Sequence, residues 1–235
     1  MVPLQFFLLQ NMGVDSNLAL MVSFGTSLAI IIPTSITGAY KHNKELQGIL
    51  KFGIILGLFG IIGGAIGGIL ASHAPTRILQ IVFGIVLIII AINMLMNKET
   101  GKSKPKIKIN LYSLALIGIG VGILSGLLGI GGGVFIVSIL TIVLGFSLIE
   151  SIGISSVFIS LAAIGGVSSY IFTGMGVNTL PYSLGYVSLI NFFIIILFSI
   201  PCAYAGAYLS HKLPERRLQQ IFSIVLFILA IKMMF

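Results

Sequence analysis

The sequence predicts an all-α, polytopic transmembrane protein made of two inverted-topology repeats, with short broken or re-entrant helices set among the full spans. Three observations carry this expectation. First, 57% of the 235 residues are apolar and only 8% are charged, whereas a soluble domain has about a quarter of its residues charged. With a mean hydropathy of +1.18, too little polar surface remains to face water, so the surrounding medium is lipid. Second, long apolar runs alternate with short polar turns. Third, the two halves of the chain resemble each other, and their loop charges assign them opposite directions.

The apolar runs place spans at about 18–40, 52–71, 78–96, 110–129, 150–173, 182–209 and 215–234, each near the roughly 20 residues that a helix needs to cross a bilayer. Two further apolar pieces, about 2–12 and 133–145, are too brief to cross alone. Each is expected to be a half-helix or a re-entrant arm, an arrangement tolerated only where protein or a water-filled cavity surrounds it. They are therefore the first place to look for a site. The stretch from Met1 to Met12 has no basic flank and no small-residue cleavage motif, so it does not read as a signal peptide.

The repeat is clearest between Ile69–Met94 and Tyr208–Met233. Pro75 matches Pro214, Leu79 matches Leu218, Gln80 matches Gln219, Phe83 matches Phe222, Ala91 matches Ala230 and Met94 matches Met233, all at one offset. Upstream, Thr26-Ser27 lies over Ser155-Ser156, and Val2-Pro3 over Val137-Ser138, with small gaps. The first repeat is expected over 1–97 and the second over 110–235, joined by a basic linker at 98–109. The second repeat opens with a glycine-rich helix, 110–129, that has no counterpart in the first, because the sequence begins where the first short segment begins.

Net charge is +8, from 13 Lys and Arg against 5 Asp and Glu. Nearly all the basic residues fall in three stretches between spans: Lys41, Lys44 and Lys51; Lys98, Lys102, Lys104, Lys106 and Lys108; and Lys212, Arg216 and Arg217. This is the pattern of loops held on the cytoplasmic side, and it argues against a nucleic-acid groove. With the linker inside, counting along the spans leaves only Arg77 and Lys232 outside. The matching spans 18–40 and 150–173 then run in opposite directions, as in the inverted repeats of secondary transporters. The protein is expected to sit as a multi-pass protein in the cytoplasmic membrane.

The chemistry available within the spans is narrow. Asp15, Glu45, Glu99, Glu150 and Glu215 all lie in loops or at span ends, leaving no carboxylate at mid-depth for moving cations or protons. His42, His73 and His211 sit at span ends and lack partners at metal-ligand spacing, so no metal or cofactor is expected. Ser125 has no His or Asp partner for nucleophilic catalysis, which argues against an enzyme. Cys202, the one cysteine, is expected to be a small buried residue.

Hydroxyls and glycines are abundant. Many of the Ser and Thr side chains, such as Ser23, Thr34, Ser35, Thr37, Ser168 and Ser169, are expected to bond back to their own helix. Gly118, Gly122 and Gly126, like Gly60, Gly64 and Gly68, recur every fourth residue and form smooth packing faces. Gly131, Gly132 and Gly133 differ, since three successive glycines break a helix at about 1 kcal/mol each relative to alanine. The following short piece then begins inside the membrane. Its free N–H groups and dipole suit an anion, although a tight turn between packed helices is the competing expectation. The candidate substrate-binding residues are Gly131, Gly132, Gly133, Ser125, Thr26, Ser27, Ser155 and Ser156, with the two hydroxyl pairs converging near a pseudo-twofold axis.

GLLGIGGGVFIVSIL at Gly126–Leu140 resembles the glycine-rich signature of the sulfite exporter TauE/SafE family. Val2-Pro3, Gly25-Thr26-Ser27-Leu28 and Gly38-Ala39-Tyr40 before His42 resemble the rest of that family's repeat. Ser138 stands where a proline is usual, and the glycine-rich helix of the first repeat is absent. The resemblance implies a secondary transporter of small sulfur-containing or organic anions, such as sulfite, sulfonates or sulfoacetate, across the cytoplasmic membrane. It leaves open the anion, a coupling proton or ion, and homo-oligomerisation. The rival expectations are a non-transporting partner subunit or truncated fragment and, behind these, a membrane-embedded enzyme.

Overall fold

A computed structural model describes residues 1–43, 50–96, 110–142, 144–146, 148–177 and 180–210, with 224, 227–228 and 230–231. The basic linker 98–109, His211, most of the span expected at 215–234, and the repeat partners Pro214, Leu218, Gln219, Phe222 and Met233 lie outside the described residues. So does the side chain of His42.

The elements follow in the order α1 (Val2–Asn11), α2 (Ser16–Asn43), α3 (Leu50–His73), α4 (Thr76–Met96), α5 (Leu111–Leu128), α6 (Gly133–Ile142), α7 (Leu148–Gly174), β1 (Ser183–Leu184), β2 (Val187–Ser188) and α8 (Leu189–Ser210). The protein is all-α and polytopic. Among the described residues, Ser16–Ala39, Lys51–His73, Leu111–Leu128 and Glu150–Gly174 are long and apolar enough to cross a membrane. The two short apolar pieces are the ten-residue helices α1 and α6.

Local signals set the boundaries. Asp15 caps α2, its Oδ2 accepting the N–H groups of Asn17 at 2.9 Å and Leu18 at 3.4 Å, which satisfies donors that the first helical turn leaves free. Pro75 precedes α4, where a missing N–H costs nothing, and Thr76 Oγ1 donates to Asn17 Oδ1 at 2.9 Å. One expectation is corrected here. The span placed at 182–209 does not begin as helix, because Ser183 pairs with Ser188 and Leu184 with Val187 in a small antiparallel hairpin. Gly185, at φ +56, opens its two-residue turn, a position that favours glycine, and α8 starts only at Leu189.

Helix directions follow from which residues meet. Along α3 and α5, Leu56 faces Gly118, Gly60 faces Gly122 and Gly64 faces Gly126, so the two run parallel. Along α3 and α7, Gly53 faces Val157, Gly57 faces Leu161 and Gly68 faces Ser169, so α7 is parallel to α3 as well. Glycine makes this three-helix layer possible. A methyl group at Gly118 would lie 2.6 Å from the Leu56 carbonyl oxygen, and one at Gly122 would lie 2.7 Å from that of Gly60. The helix propensity lost at each glycine is offset by backbone-to-backbone packing that no larger residue permits.

α2 runs the other way. Gly25 meets Tyr170, Leu28 meets Gly166 and Gly38 meets Ser156, so numbers rise along α2 as they fall along α7. One core cluster gathers Phe6, Leu20, Phe24, Leu28, Phe83, Leu128 and Tyr170 around α1, α2 and α4, with the Phe24 and Phe83 rings stacked at 6.0 Å. The other gathers Leu56, Leu114, Ile136, Leu140, Ile154 and Phe158 under α6. Cys202 corrects a second expectation. It is exposed on α8 rather than buried, on the helix that also exposes Phe193, Leu197 and Phe198.

Candidate functional site

The site is built where α5 stops. Gly129 caps α5 at φ +64, and Gly131 and Gly132 follow at φ +83 and +69. Side chains other than glycine pay for this left-handed backbone, at about 1–2 kcal/mol per residue. The chain thereby reverses within four residues and starts α6 at Gly133, with Ile136 N–H donating to the Gly132 carbonyl at 3.1 Å. The N–H groups of the first turn of α6 have no partner within the helix, so the positive end of its dipole faces the break.

The reversal sits deep in the protein. A methyl group at Gly131 would lie 3.0 Å from Ile159 Cγ2 and 3.1 Å from Ile31 Cδ1, residues near the middles of α7 and α2. One at Gly132 would lie 3.0 Å from Val121 Cγ1 and 3.2 Å from Ser125 Cβ. The walls are therefore aliphatic, with one polar exception. Ser125 is 1% exposed and its hydroxyl makes no hydrogen bond. A buried hydroxyl without a partner is costly, by about 1–3 kcal/mol, and this one abuts the α5–α6 break. Gln5 on the other short helix is likewise buried with neither amide atom paired.

The remaining candidates are not brought to this point. Thr26 and Ser27 are buried on α2, level with Tyr170 on α7, whereas Ser155 and Ser156 lie toward the opposite end of α7. About 20 Å of helix separates the two pairs, at roughly 1.5 Å rise per residue. The glycine break lies between them. They fail to converge because numbers rise along α2 as they fall along α7, which carries the two pairs toward opposite ends of the crossing. Three of their hydroxyls are also engaged. Thr26 Oγ1 accepts the Ser188 backbone N–H at 3.0 Å. Ser155 and Ser156 both donate to the Ile152 carbonyl, at 2.8 and 2.9 Å. Such back-bonding holds also for Ser23, Thr34, Ser35, Thr37, Ser168 and Ser169.

Sequence reasoning missed two features. Tyr170 is fully buried and donates its hydroxyl to the Gly126 carbonyl at 3.0 Å. A tyrosine inside a predicted span was the available signal. The hairpin is the other: its Tyr186 N–H donates to the Tyr170 carbonyl at 3.2 Å, and the Leu184-Gly185-Tyr186-Val187 string was its signal. The hairpin closes one end of the α2–α7 crossing. All residues of α2 from Ala19 to Ile30 are buried, and none from Ile31 to Ala39 is. Gly25 has the Tyr186 carbonyl oxygen 2.8 Å from where its Cβ would be, while at the far end Gly38 has, among the described residues, only Ser156 Oγ, at 3.7 Å.

A family profile described as sulfite exporter TauE/SafE matches residues 1–233. The chain is 33% identical over 198 residues to the probable membrane transporter protein YdhB of Bacillus subtilis, covering 82% of this chain and 76% of that protein. It is 31% identical over 233 residues to a probable membrane transporter protein of Haemophilus influenzae, covering 99% and 88% respectively. A probable membrane transporter protein of Methanocaldococcus jannaschii is 29% identical over 238 residues, covering 99% and 85%. No solved structure matches the chain.

Proposed function

This chain belongs to the sulfite exporter TauE/SafE family of membrane transporters, and from that premise we propose that it carries small sulfur-containing or organic anions, sulfite and sulfonate-like, across the cytoplasmic membrane by alternating access. The observation that carries the site is the pairing of the buried, unpartnered Ser125 hydroxyl with the glycine break at Gly131–Gly133, where α6 begins. Free N–H groups and a hydroxyl in aliphatic surroundings stabilise a negative charge without a counter-cation. Among the described residues, Asp15 and Glu150 lie at helix starts rather than at mid-depth, which supports an anion over a cation.

Antiparallel packing of α2 against α7 supports the inverted-repeat reading. The two ends of that crossing differ as alternating access requires, with one sealed by the hairpin and the other looser around Gly38 and Ser156. On the topology assigned by the basic loops, the sealed end faces outward and the loose end faces the cytoplasm. In this reading Thr26 and Ser27 belong to the outer seal, Ser155 and Ser156 line the inner approach, and Gly131, Gly132, Gly133 and Ser125 hold the anion.

Flux into proteoliposomes tests the proposal, using labelled sulfite beside sulfate, a sulfonate and acetate, with and without a pH gradient. Saturable flux selective for sulfite or a sulfonate is expected. Folded protein that moves none of these anions would defeat it.

A further inference from the structure

Tyr170 links the last turn of α5, α2 and the hairpin. Its hydroxyl donates to the Gly126 carbonyl at 3.0 Å. In an uninterrupted helix that carbonyl would accept the N–H of Ile130, but α5 ends at Leu128, and the Gly129 N–H makes a regular helical bond, to the Ser125 carbonyl at 3.0 Å. The carbonyls at the end of a helix need outside partners, and the Tyr170 phenol supplies one from a different helix. The backbone carbonyl of the same residue accepts the Tyr186 N–H at the hairpin tip, at 3.2 Å. Its Cβ lies 3.1 Å from where a Cβ on Gly25 would be.

We propose that Tyr170 is a positioning residue that couples docking of the 183–188 hairpin to the shape of the anion-binding break between α5 and α6. This inference rests on the transport reading above and adds a gate to it. The physical basis is shared geometry. Tyr170 has no exposed surface, so its ring cannot shift without displacing the Phe24, Leu28 and Leu128 cluster that surrounds it. If the hairpin leaves, the Tyr170 carbonyl loses a partner and the segment of α7 that aims the phenol is freed. If Gly126 moves as the break opens, the phenol loses its acceptor and the hairpin's dock shifts. The two ends of one residue therefore report on the hairpin seal and on the binding site.

The test combines labelling with kinetics. A Ser188→Cys reporter, placed in a Cys202→Ser background, is reacted with a water-soluble maleimide in detergent micelles, and sulfite flux is measured in proteoliposomes. Tyr170→Phe keeps the ring and removes only the hydroxyl. It is expected to speed labelling and to raise the KM for sulfite, each by about fivefold, the equivalent of one ordinary hydrogen bond, with kcat little changed. A residue of purely structural importance would lower the melting temperature and move neither quantity, and that result would overturn the proposal.

Gly25→Ala approaches the same coupling from the other side, since its methyl group would press on the Tyr186 carbonyl oxygen at 2.8 Å and unseat the hairpin. It too is expected to raise both labelling and KM. Faster labelling with an unaltered KM would show that the gate and the site are independent, and the proposal would fall. If the unsubstituted protein shows no saturable flux of any anion, the transport reading fails. The labelling rate of Tyr170→Phe then still decides whether the phenol–Gly126 bond holds the hairpin.

Discussion

The backbone N–H of Ser188 donates to the hydroxyl of Thr26 at 3.0 Å, a bond between residues 162 positions apart that fastens the hairpin to α2. Both groups are buried, so removing the acceptor strands an amide away from water. Thr26→Val, which keeps the shape, is expected to lower stability in detergent by about 1–3 kcal/mol. Thr26→Ser should restore most of it. Thermal unfolding followed by circular dichroism measures the difference, and equal stability of all three would remove the hairpin's anchor.

Ser125 is expected to behave in the opposite sense. Its hydroxyl has no partner in the folded protein, so Ser125→Ala relieves a desolvation cost and leaves stability equal or higher by about 1 kcal/mol. The same change removes a hydrogen bond to a charged ligand, so the KM for the transported anion should rise about tenfold or more. Stability and affinity moving apart is the signature of a binding residue. If they fall together, Ser125 is a packing residue.

Gly132→Leu addresses the break itself. At φ +69 the backbone is left-handed, and the added side chain would press on Val121 and Ser125. Membrane insertion and expression should persist, because the hydrophobicity of the spans is unaltered. Saturable flux should disappear. Unchanged flux from the substituted protein would place the anion elsewhere.

Pro33 lies inside α2, beside the boundary between its buried half and its looser half. Proline lacks the N–H that would bond back to Ala29, which leaves α2 free to bend there. Pro33→Ala restores the rung. The expected result is a higher melting temperature with a maximal flux reduced several-fold, on the order of threefold, as a hinge becomes stiffer. Stabilisation without slower transport would argue that α2 moves as a rigid rod.

Topology has its own check. Single cysteines at Asp15 and Met175, in the Cys202→Ser background, should react with an impermeant maleimide from outside intact cells. Cysteines placed in the linker 98–109 should react only after permeabilisation. Labelling of Asp15 and Met175 from opposite sides would overturn the assignment of the basic loops to one face.

The membrane fold was legible because its cause is additive. Each span is visible as a run of apolar residues, and each break as glycine, proline or charge, since lipid rewards every residue separately. The break at Gly131–Gly133 was readable for the same reason: successive glycines are poor helix formers wherever they occur. Less legible was the hairpin at 183–188, whose two-residue strands are too short to show alternation against an apolar background.

From sequence alone came the membrane setting, the order of helices, the family resemblance and the place where α5 gives way to α6, all properties of composition and short-range pattern. Tertiary structure alone decided which groups remain free to bind. It turned Ser155 and Ser156 back onto Ile152, gave Thr26 to Ser188, joined Tyr170 to Gly126, and left Ser125 unpartnered beside Gly132. The physical reason is that a hydrogen bond depends on where two groups lie in space. Antiparallel packing of α2 and α7 sets those positions, and it holds Thr26 and Ser27 apart from Ser155 and Ser156.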